Sequence, residues 1–274
     1  RFDAVHLFMD GRPARRRAMD QTYKVRDEPR TSLSDMGTKP FELPDGRTAS
    51  GEIDVLLHVM ELLGVSVYAD PAEEADDLIA SFIRKRQDDV HVIVSSDKDF
   101  FQLLVNPRVA IYRPGSSGPR LLDAEGAEAY WATLNKGKHP AIPPEHVRMF
   151  KSLCGDSSDC IHGVPRLRKK VAAAVCKYGD LDKIASAGWP GFSAMERQHA
   201  GDMLDRLKLN WELVGLVDTL PAEPLRRVQP DADTAAQILN SLNIRLDTAF
   251  LVPGKIRMAV ADVPAKVISL DDVL

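Results

Sequence analysis

Three groups of acidic residues in the sequence could together hold metal ions. The groups are Asp10, then Glu74, Asp76 and Asp77, and finally Asp97 and Asp99. Hard divalent cations such as Mg²⁺ bind carboxylate oxygens. Two such ions about 4 Å apart can activate a water and stabilise the leaving oxygen in phosphoryl hydrolysis. Carboxylates that converge without a cation repel one another. These residue types therefore indicate metal-dependent hydrolysis, provided that the fold brings the three groups together.

Each acidic group also has a purely structural explanation. Acids in the first turn of a helix are favoured by the helix dipole, which would account for Glu74, Asp76 and Asp77. Asp97 and Asp99 could instead be turn residues. Only the position of all three groups at one predicted sheet edge favours a metal site.

The elements that would position these acids are short apolar strands alternating with helices. Apolar runs predict strands at 4–9, 65–68, 90–94 and 109–112, and helical spacing predicts helices at 53–63 and 74–86. This alternation implies a mostly parallel central sheet with right-handed crossovers, flanked by helices. The ligand crevice of such a sheet lies at the carboxyl ends of its strands, where the acids stand.

The sequence changes character after Pro114. Helical patterns cover 144–153, 166–178, 194–213 and 232–242, and no strong strand intervenes. We therefore expect an α/β domain at residues 1–120 and a helical domain at 121–274. Residues 27–52 are rich in turn-forming residues and long for a loop, which indicates a functional or mobile segment.

Composition limits the classes of function. The net charge of −4 shows no global attraction for nucleic acid, so DNA contacts would come from local basic patches. Three cysteines, Cys154, Cys160 and Cys176, form no disulfide framework, and Cys154 with Cys160 lacks the further ligands of a zinc site. No apolar run is long enough for a membrane span, and we expect a cytoplasmic protein.

Several stretches resemble the 5′–3′ exonuclease and flap endonuclease family, which includes the small domain of bacterial DNA polymerase I and phage 5′-nucleases. The stretches are 8–11, Tyr23-Lys24, 73–80, 93–104 and 155–165. They occur in the family's order from about residue 4 to residue 220. The resemblance implies a PIN-like α/β fold followed by a helix–three-turn–helix DNA-binding motif at about 144–178.

The resemblance also implies a set of ligands for two or more Mg²⁺ or Mn²⁺ ions. It adds a fourth acidic group, Asp156 and Asp159, which the pattern of residues alone did not place in the crevice. The first ion would be held by Asp10, Glu74, Asp76 and Asp97, and the second by Asp77, Asp99, Asp156 and Asp159.

The resemblance also implies which residues of this chain would contact DNA, most of them basic. The segment at about 27–52 corresponds to the arch that admits a single-stranded 5′ end, and Lys24 and Arg26 would steer the scissile phosphate. Tyr23 could stack on a base or pack in the core. The motif's usual glycines are replaced by a basic run that either binds phosphate or is a solvated helix face: Arg166, Arg168, Lys169 and Lys170. Whether K⁺ binds there, as in some family members, is left open.

These features imply a monomeric, structure-selective 5′-nuclease acting on DNA with a 5′ single-stranded end or flap beside a duplex. The family begins with another strand that ends in a ligating Asp, and the chain contains no match to it. We expect that segment to be disordered, removed or supplied by another polypeptide. A catalytically impaired DNA-binding module is one alternative, and a ribonuclease of the PIN-like superfamily is another.

Overall fold

The computed structural model of the protein describes residues 3–25, 41–42, 48–49, 52–114, 120–137, 139–217 and 229–241. Within these ranges the strands are β1 (His6–Met9), β2 (Phe41–Glu42), β3 (Thr48–Ala49), β4 (Ser66–Ala69), β5 (His91–Val94), β6 (Val109–Arg113), β7 (Arg120–Leu122), β8 (Gly155–Asp156) and β9 (Ile161–His162). The α-helices are α1 (Ala14–Met19), α2 (Glu52–Leu62), α3 (Ala75–Lys85), α4 (Ala124–Gly137), α5 (Val147–Cys154), α6 (Lys169–Val175), α7 (Leu181–Ser186), α8 (Ala194–Asp202), α9 (Leu204–Val214) and α10 (Ala232–Ser241).

The chain forms two compact units. The described residues of unit 1 are 3–12, 41–42, 48–49, 52–78 and 229–241. Those of unit 2 are 13–25, 79–114, 120–137 and 139–217. The division expected from the sequence, 1–120 and 121–274, stays a prediction. Most of the predicted arch at 27–52 lies outside the described residues, apart from the antiparallel pair β2 and β3 and the start of α2.

Unit 1 is built on a parallel strand pair. β1 pairs with β4 from His6 opposite Ser66 to Met9 opposite Ala69. The chain passes through α2 between the two strands, and one apolar face of α2 packs on α10. That core contains Val55, Val59, Leu62, Leu63, Ala235, Ile238 and Leu239. The carboxyl ends of β1 and β4 therefore lie side by side, as the alternating pattern predicted.

Unit 2 contains a mixed sheet. β5 and β6 are parallel, whereas β7 runs antiparallel to β6 with Ile111 opposite Leu122. The sequence indicated no strong strand after Pro114, and β7 is a short one. Its three residues are too few to show an alternating pattern, and it is stabilised by pairing with β6. The predicted helix at 194–213 is also two helices, α8 and α9, with a break at Met203. The α/β class with a mostly helical second half is confirmed.

Arginine side chains hold the carboxyl end of α9 in unit 2. Arg16 of α1 is buried and donates from Nε to the Leu213 carbonyl at 2.8 Å and from a terminal nitrogen to the Gly215 carbonyl at 2.9 Å. Arg148 of α5 donates to the Trp211 carbonyl at 2.8 Å. The last carbonyls of a helix lack partners within the helix, so these bonds satisfy them and attach α1 and α5 to α9.

None of the helices in the described ranges is both long and apolar enough to cross a membrane.

Candidate metal centre and nucleic-acid interface

In unit 1, Asp10 lies against the backbone at the start of α3, where further acids stand. The Asp10 carboxylate accepts the backbone N–H of Ala75 at 3.0 Å, and the Gly11 N–H donates to the Glu73 carbonyl at 2.9 Å. A Cβ on Gly11 would lie 2.0 Å from the Asp70 carbonyl oxygen, so only glycine allows this close approach. The end of β1 and the start of α3 are thus held against each other.

The acids at and just before the start of α3 differ in exposure. Glu74 and Asp77 are buried, with 3% and 0% of their surface exposed, and Asp76 is half-buried. Buried carboxylates are costly unless they are paired, hydrogen-bonded or bound to a metal. The structure thus brings Asp10 against the start of α3, although it lies 65 residues from Ala75 in sequence, and a shared metal site of Asp10, Glu74 and Asp76 stays a prediction.

In unit 2, Asp97 and Asp99 follow β5 in a tight turn. The Asp99 N–H donates to the Asp97 carboxylate at 2.9 Å, and the Asp97 N–H donates to Ser95 Oγ at 3.0 Å. Asp97 is exposed, whereas Asp99 begins a 3₁₀ turn, Asp99–Val105. Asp97 therefore fulfils the turn role that the sequence left open, and its predicted metal role stays a prediction.

Asp156 and Asp159 join Asp99 in one carboxylate cluster. Each residue offers an oxygen, and these three oxygens all lie within 4.8 Å of one another. Asp156 sits in the small β8–β9 hairpin and accepts the N–H and hydroxyl of Ser158 at 2.9 and 2.5 Å. Within the described part of the chain this is the single group of at least three candidate ligands in such proximity. We call it the acidic cluster.

Two glycines make the hairpin under the acidic cluster possible. Gly155 has a φ of +76°, and a Cβ there would lie 2.5 Å from the Gly163 nitrogen. A Cβ on Gly163 would lie 2.2 Å from the Cys154 carbonyl carbon. The end of α5 therefore packs directly on the backbone after β9, which places Asp156 next to Asp99.

Among the residues that the structure describes, Lys151 and Lys24 contact the acidic cluster. Lys151 of α5 is buried and bonds to both Asp99 and Asp156, with a distance of 2.5 Å from its Nζ to Asp156 Oδ2. Lys24 lies with its Nζ 3.7 Å from Asp159 Oδ1, and its backbone N–H donates to the Asp159 carbonyl at 3.1 Å. Lys24 was expected from the sequence, but Lys151 was not. Lys151 could have been found from its position, because a residue four after the buried Val147 lies on the same inward face of α5.

The charge of Asp156 depends on these neighbours. Burial alone would raise the pKa of Asp156, but the ammonium of Lys151 and the hydrogen bonds from Ser158 together hold it below its usual value. The carboxylate is therefore ionised at neutral pH, as a ligand for a hard cation must be.

The cysteines do not form part of this site. Burial raises the pKa of the Cys154 and Cys176 thiols to about 12, so both are protonated at neutral pH. No group of candidate ligands among the described residues includes a cysteine. The zinc alternative weighed from the sequence therefore has no support here.

Tyr23 packs in the interior of unit 2. Its side chain is 3% exposed and lies in a cluster with Ile161, Leu213 and Val214. The prediction of Tyr23 as a DNA-binding residue is corrected, because a side chain buried to this extent offers no face on which a base could stack. Arg26, the other residue expected near Lys24, lies outside the described residues.

The basic run at the start of α6 contains two kinds of side chain. Arg166 is exposed with a left-handed φ of +58°, and Lys169 and Lys170 are also exposed. Arg168 instead donates from Nε and a terminal nitrogen to the two oxygens of Glu196, at 3.1 and 2.9 Å. Its guanidinium thus connects the start of α6 to α8, and a phosphate contact by Arg168 stays a prediction.

The sequence is similar to one known protein family and to several known proteins. Residues 2–131 match the N-terminal, resolvase-like domain of 5′-3′ exonucleases. The chain is 30% identical over 206 residues to DNA polymerase I of Mycobacterium leprae, which covers 72% of this chain and 21% of that protein. It is 28% identical over 192 residues to a 5′-3′ exonuclease of Mycobacterium tuberculosis, covering 67% of this chain and 57% of that protein. The chain thus spans less than two thirds of either relative.

Solved structures share the fold at low sequence identity. A T5 5′-exonuclease aligns with a TM-score of 0.57 and 16% identity, covering 87% of this chain and 81% of its own. The bacteriophage T5 flap endonuclease, crystallised with DNA and metal ions, gives a TM-score of 0.55 and 19% identity, covering 78% and 74%. The catalytic core of Rad2 in complex with DNA substrate aligns with a TM-score of 0.50 and 15% identity, covering 92% of this chain and 80% of its own.

Proposed function

The chain belongs to the 5′-3′ exonuclease family, whose N-terminal resolvase-like domain occupies residues 2–131, and from this we propose that it is a structure-selective 5′-nuclease. It hydrolyses phosphodiester bonds in DNA that carries a 5′ single-stranded end or flap beside a duplex. The observation that carries the proposal is the acidic cluster of Asp99, Asp156 and Asp159 with Lys24 at its side. Mg²⁺ or Mn²⁺ are the proposed cofactors.

The donor chemistry of the acidic cluster fits a divalent cation. Three carboxylates with oxygens within 4.8 Å offer only hard oxygen ligands, which Mg²⁺ and Mn²⁺ prefer. Asp99, Asp156 and Asp159 would hold one ion, and Asp10, Glu74 and Asp76 of unit 1 would bind cations at the start of α3. When bound, such ions activate water and stabilise the leaving oxygen of a phosphodiester.

The chain's own cations would position the substrate. Lys24 is partly exposed, with 27% of its side chain accessible, and it lies beside the acidic cluster. Its ammonium would neutralise the phosphate next to the scissile bond as negative charge develops there. The exposed Arg166, Lys169 and Lys170 would bind the backbone of the duplex through phosphate contacts, which bring affinity but no sequence preference.

Cleavage of labelled DNA tests the proposal directly. The substrates are a 5′ flap, a 5′ overhang, a blunt duplex and an RNA of the flap sequence, each with Mg²⁺ or with EDTA. We expect Mg²⁺-dependent cutting of the first two, and a loss of more than about 100-fold in Asp99→Asn and Asp156→Asn. Asp182→Asn is the matched control, because Asp182 lies on the surface, where its carboxylate pairs with Lys208 at 2.7 Å.

The outcomes separate the alternatives. Binding of flap DNA without cleavage at high protein concentration would favour a DNA-binding module, and preferential cutting of RNA would favour a ribonuclease. Cutting by Asp156→Asn at the unaltered rate would contradict the proposed site. Monomeric state and cytoplasmic location remain predictions, which sedimentation and fractionation would test.

A further inference from the structure

The buried ammonium of Lys151 lies inside the acidic cluster. Its residue is 7% exposed, and it bonds to Asp99 Oδ1 and to Asp156 Oδ2. A lysine with a long, flexible side chain loses conformational entropy when it is held in this way, and its charge loses hydration. The bonds to the two carboxylates must therefore offset the entropy and hydration that Lys151 loses. This indicates that the three charges are arranged specifically for one another.

Both oxygens of Asp156 already have partners. Oδ1 accepts the N–H and hydroxyl of Ser158, at 2.9 and 2.5 Å, while Oδ2 accepts Lys151 Nζ at 2.5 Å. Oδ2 thus shares the Lys151 ammonium with Oδ1 of Asp99. A divalent ion that used this oxygen would come close to the ammonium, and two cations repel strongly at such short distance.

Ammonium groups offset much of the charge of the acidic cluster without any metal. Within the described residues, Lys151 contacts Asp99 and Asp156, and Lys24 Nζ lies 3.7 Å from Asp159 Oδ1. A cluster with little net charge attracts a cation less strongly than three isolated carboxylates would. The lysines therefore both stabilise the metal-free protein and weaken its attraction for metal.

We propose that Lys151 is a positioning residue that occupies the place of a cation between Asp99 and Asp156 and is displaced when a divalent ion binds there. The inference rests on the proposed function, since it takes the acidic cluster as a metal site. Lys151 keeps the carboxylates of Asp99 and Asp156 in place before metal arrives, and it sets the concentration of metal at which the site fills.

The variant Lys151→Met tests this with the DNA-free protein. Methionine keeps much of the length of the side chain and removes the charge. Lys208→Met is the matched control, because Lys208 pairs with Asp182 on the surface. We expect Lys151→Met to unfold at lower temperature in EDTA and to bind Mn²⁺ about tenfold more tightly by calorimetry, within the range by which residues around a ligand shell change metal affinity.

The results distinguish this inference from the proposed function. Unchanged or weaker Mn²⁺ binding by Lys151→Met, with the wild type binding Mn²⁺, would overturn the role of Lys151 and leave the nuclease proposal standing. No Mn²⁺ binding by either protein at millimolar concentration would overturn both. Tighter binding together with a larger Mn²⁺-induced rise in Tm would support the displacement.

A second measurement uses the wild-type protein and does not depend on how the variant folds. Lysines are acetylated briefly with and without Mn²⁺, and the extent at each lysine is measured by mass spectrometry. We expect acetylation of Lys151 to rise on adding Mn²⁺ while that of Lys208 stays constant. A fall or no change at Lys151 would show that the ammonium is not released and would overturn the inference.

Discussion

Lys24 is attached to Asp159 through its backbone as well as its side chain. The Lys24 N–H donates to the Asp159 carbonyl at 3.1 Å, and Lys24 Nζ lies 3.7 Å from Asp159 Oδ1. Next to this pair, Cys160 Sγ donates to the Val25 carbonyl at 3.1 Å. Lys24 itself has a φ of +50°, an uncommon conformation for a residue with a side chain. The turn at residues 21–25 is thereby held on the hairpin that carries two acids of the acidic cluster.

Replacing Lys24 with methionine should impair cleavage and leave the fold intact. The backbone bond to Asp159 does not require the side chain, and a partly exposed ion pair contributes only about 0–1 kcal/mol to stability. We expect kcat on a 5′-flap substrate to fall by about 100-fold, the effect of losing one group that stabilises transition-state charge. Single-turnover kinetics and thermal unfolding would measure both effects, with Lys208→Met as control. A variant with full activity would rule out the phosphate role of Lys24.

Replacing Gly163 with alanine should destabilise unit 2. The new Cβ would lie 2.2 Å from the Cys154 carbonyl carbon and 2.4 Å from the Gly155 nitrogen, which are backbone atoms and cannot turn away. Overpacking of this kind costs about 1–3 kcal/mol or more. Urea unfolding measures the loss. In the control Gly201→Ala the new Cβ on α8 meets no atom within 4 Å, and that change should stabilise by about 0.5–1 kcal/mol. Equal stability of the two variants would contradict the close packing.

Two variants of Arg166 distinguish the energetic cost of its backbone conformation from the effect of its charge on DNA binding. Its φ of +58° costs about 1–2 kcal/mol for a residue with a Cβ, and glycine removes that cost. Arg166→Gly should therefore be more stable than Arg166→Ala, although both lose the same charge. Both should bind duplex DNA more weakly, with the salt dependence of log K reduced by about one unit of slope if Arg166 contacts one phosphate. Unaltered salt dependence in both variants would exclude that contact.

The ion pair of Glu196 with Arg168 predicts a dependence of stability on pH. Hydrogen bonds from Arg168 hold the pKa of Glu196 below its ordinary value of 4.5, despite burial of the carboxylate, and bonds from Ser193 add to this. Because the pKa of Glu196 is lower in the folded protein, its ionised carboxylate adds to the free energy of unfolding. This stabilisation is complete above pH 4.5 and is lost as the pH falls through the folded pKa. The gap in Tm between wild type and Glu196→Gln should therefore be widest near pH 7 and shrink below pH 4.5.

Ser193→Ala is the matched variant for this test. Ser193 caps α8 by accepting the Glu196 N–H at 3.3 Å, and its loss should cost about 1 kcal/mol. Since serine does not titrate, most of its effect should persist at low pH. A Glu196→Gln gap that stays constant from pH 3 to pH 7 would contradict the lowered pKa.

The sequence by itself determined the local elements and the identity of the acids. Apolar spacing within short windows predicted α2, α3 and α10 to within a residue or two, and β1, β4, β5 and β6 to within two residues at either end. These patterns depend only on residues close to one another in the chain, and the sequence therefore suffices to predict them. Asp10 and Glu74, which the pattern identified, follow β1 and precede α3. Of the pair that the family resemblance added, Asp156 ends β8 and Asp159 ends the short 3₁₀ turn after it.

Only the tertiary structure decided which side chains surround those acids. Lys151 enters the acidic cluster because Gly155 and Gly163 let the backbone after α5 pack without a Cβ, a contact that no periodicity encodes. Tyr23 is enclosed by residues far along the chain, and Arg168 is paired with Glu196 on another helix. Contacts between distant segments depend on packing and the pairing of buried charges, because only folding brings those segments within a few ångströms of each other.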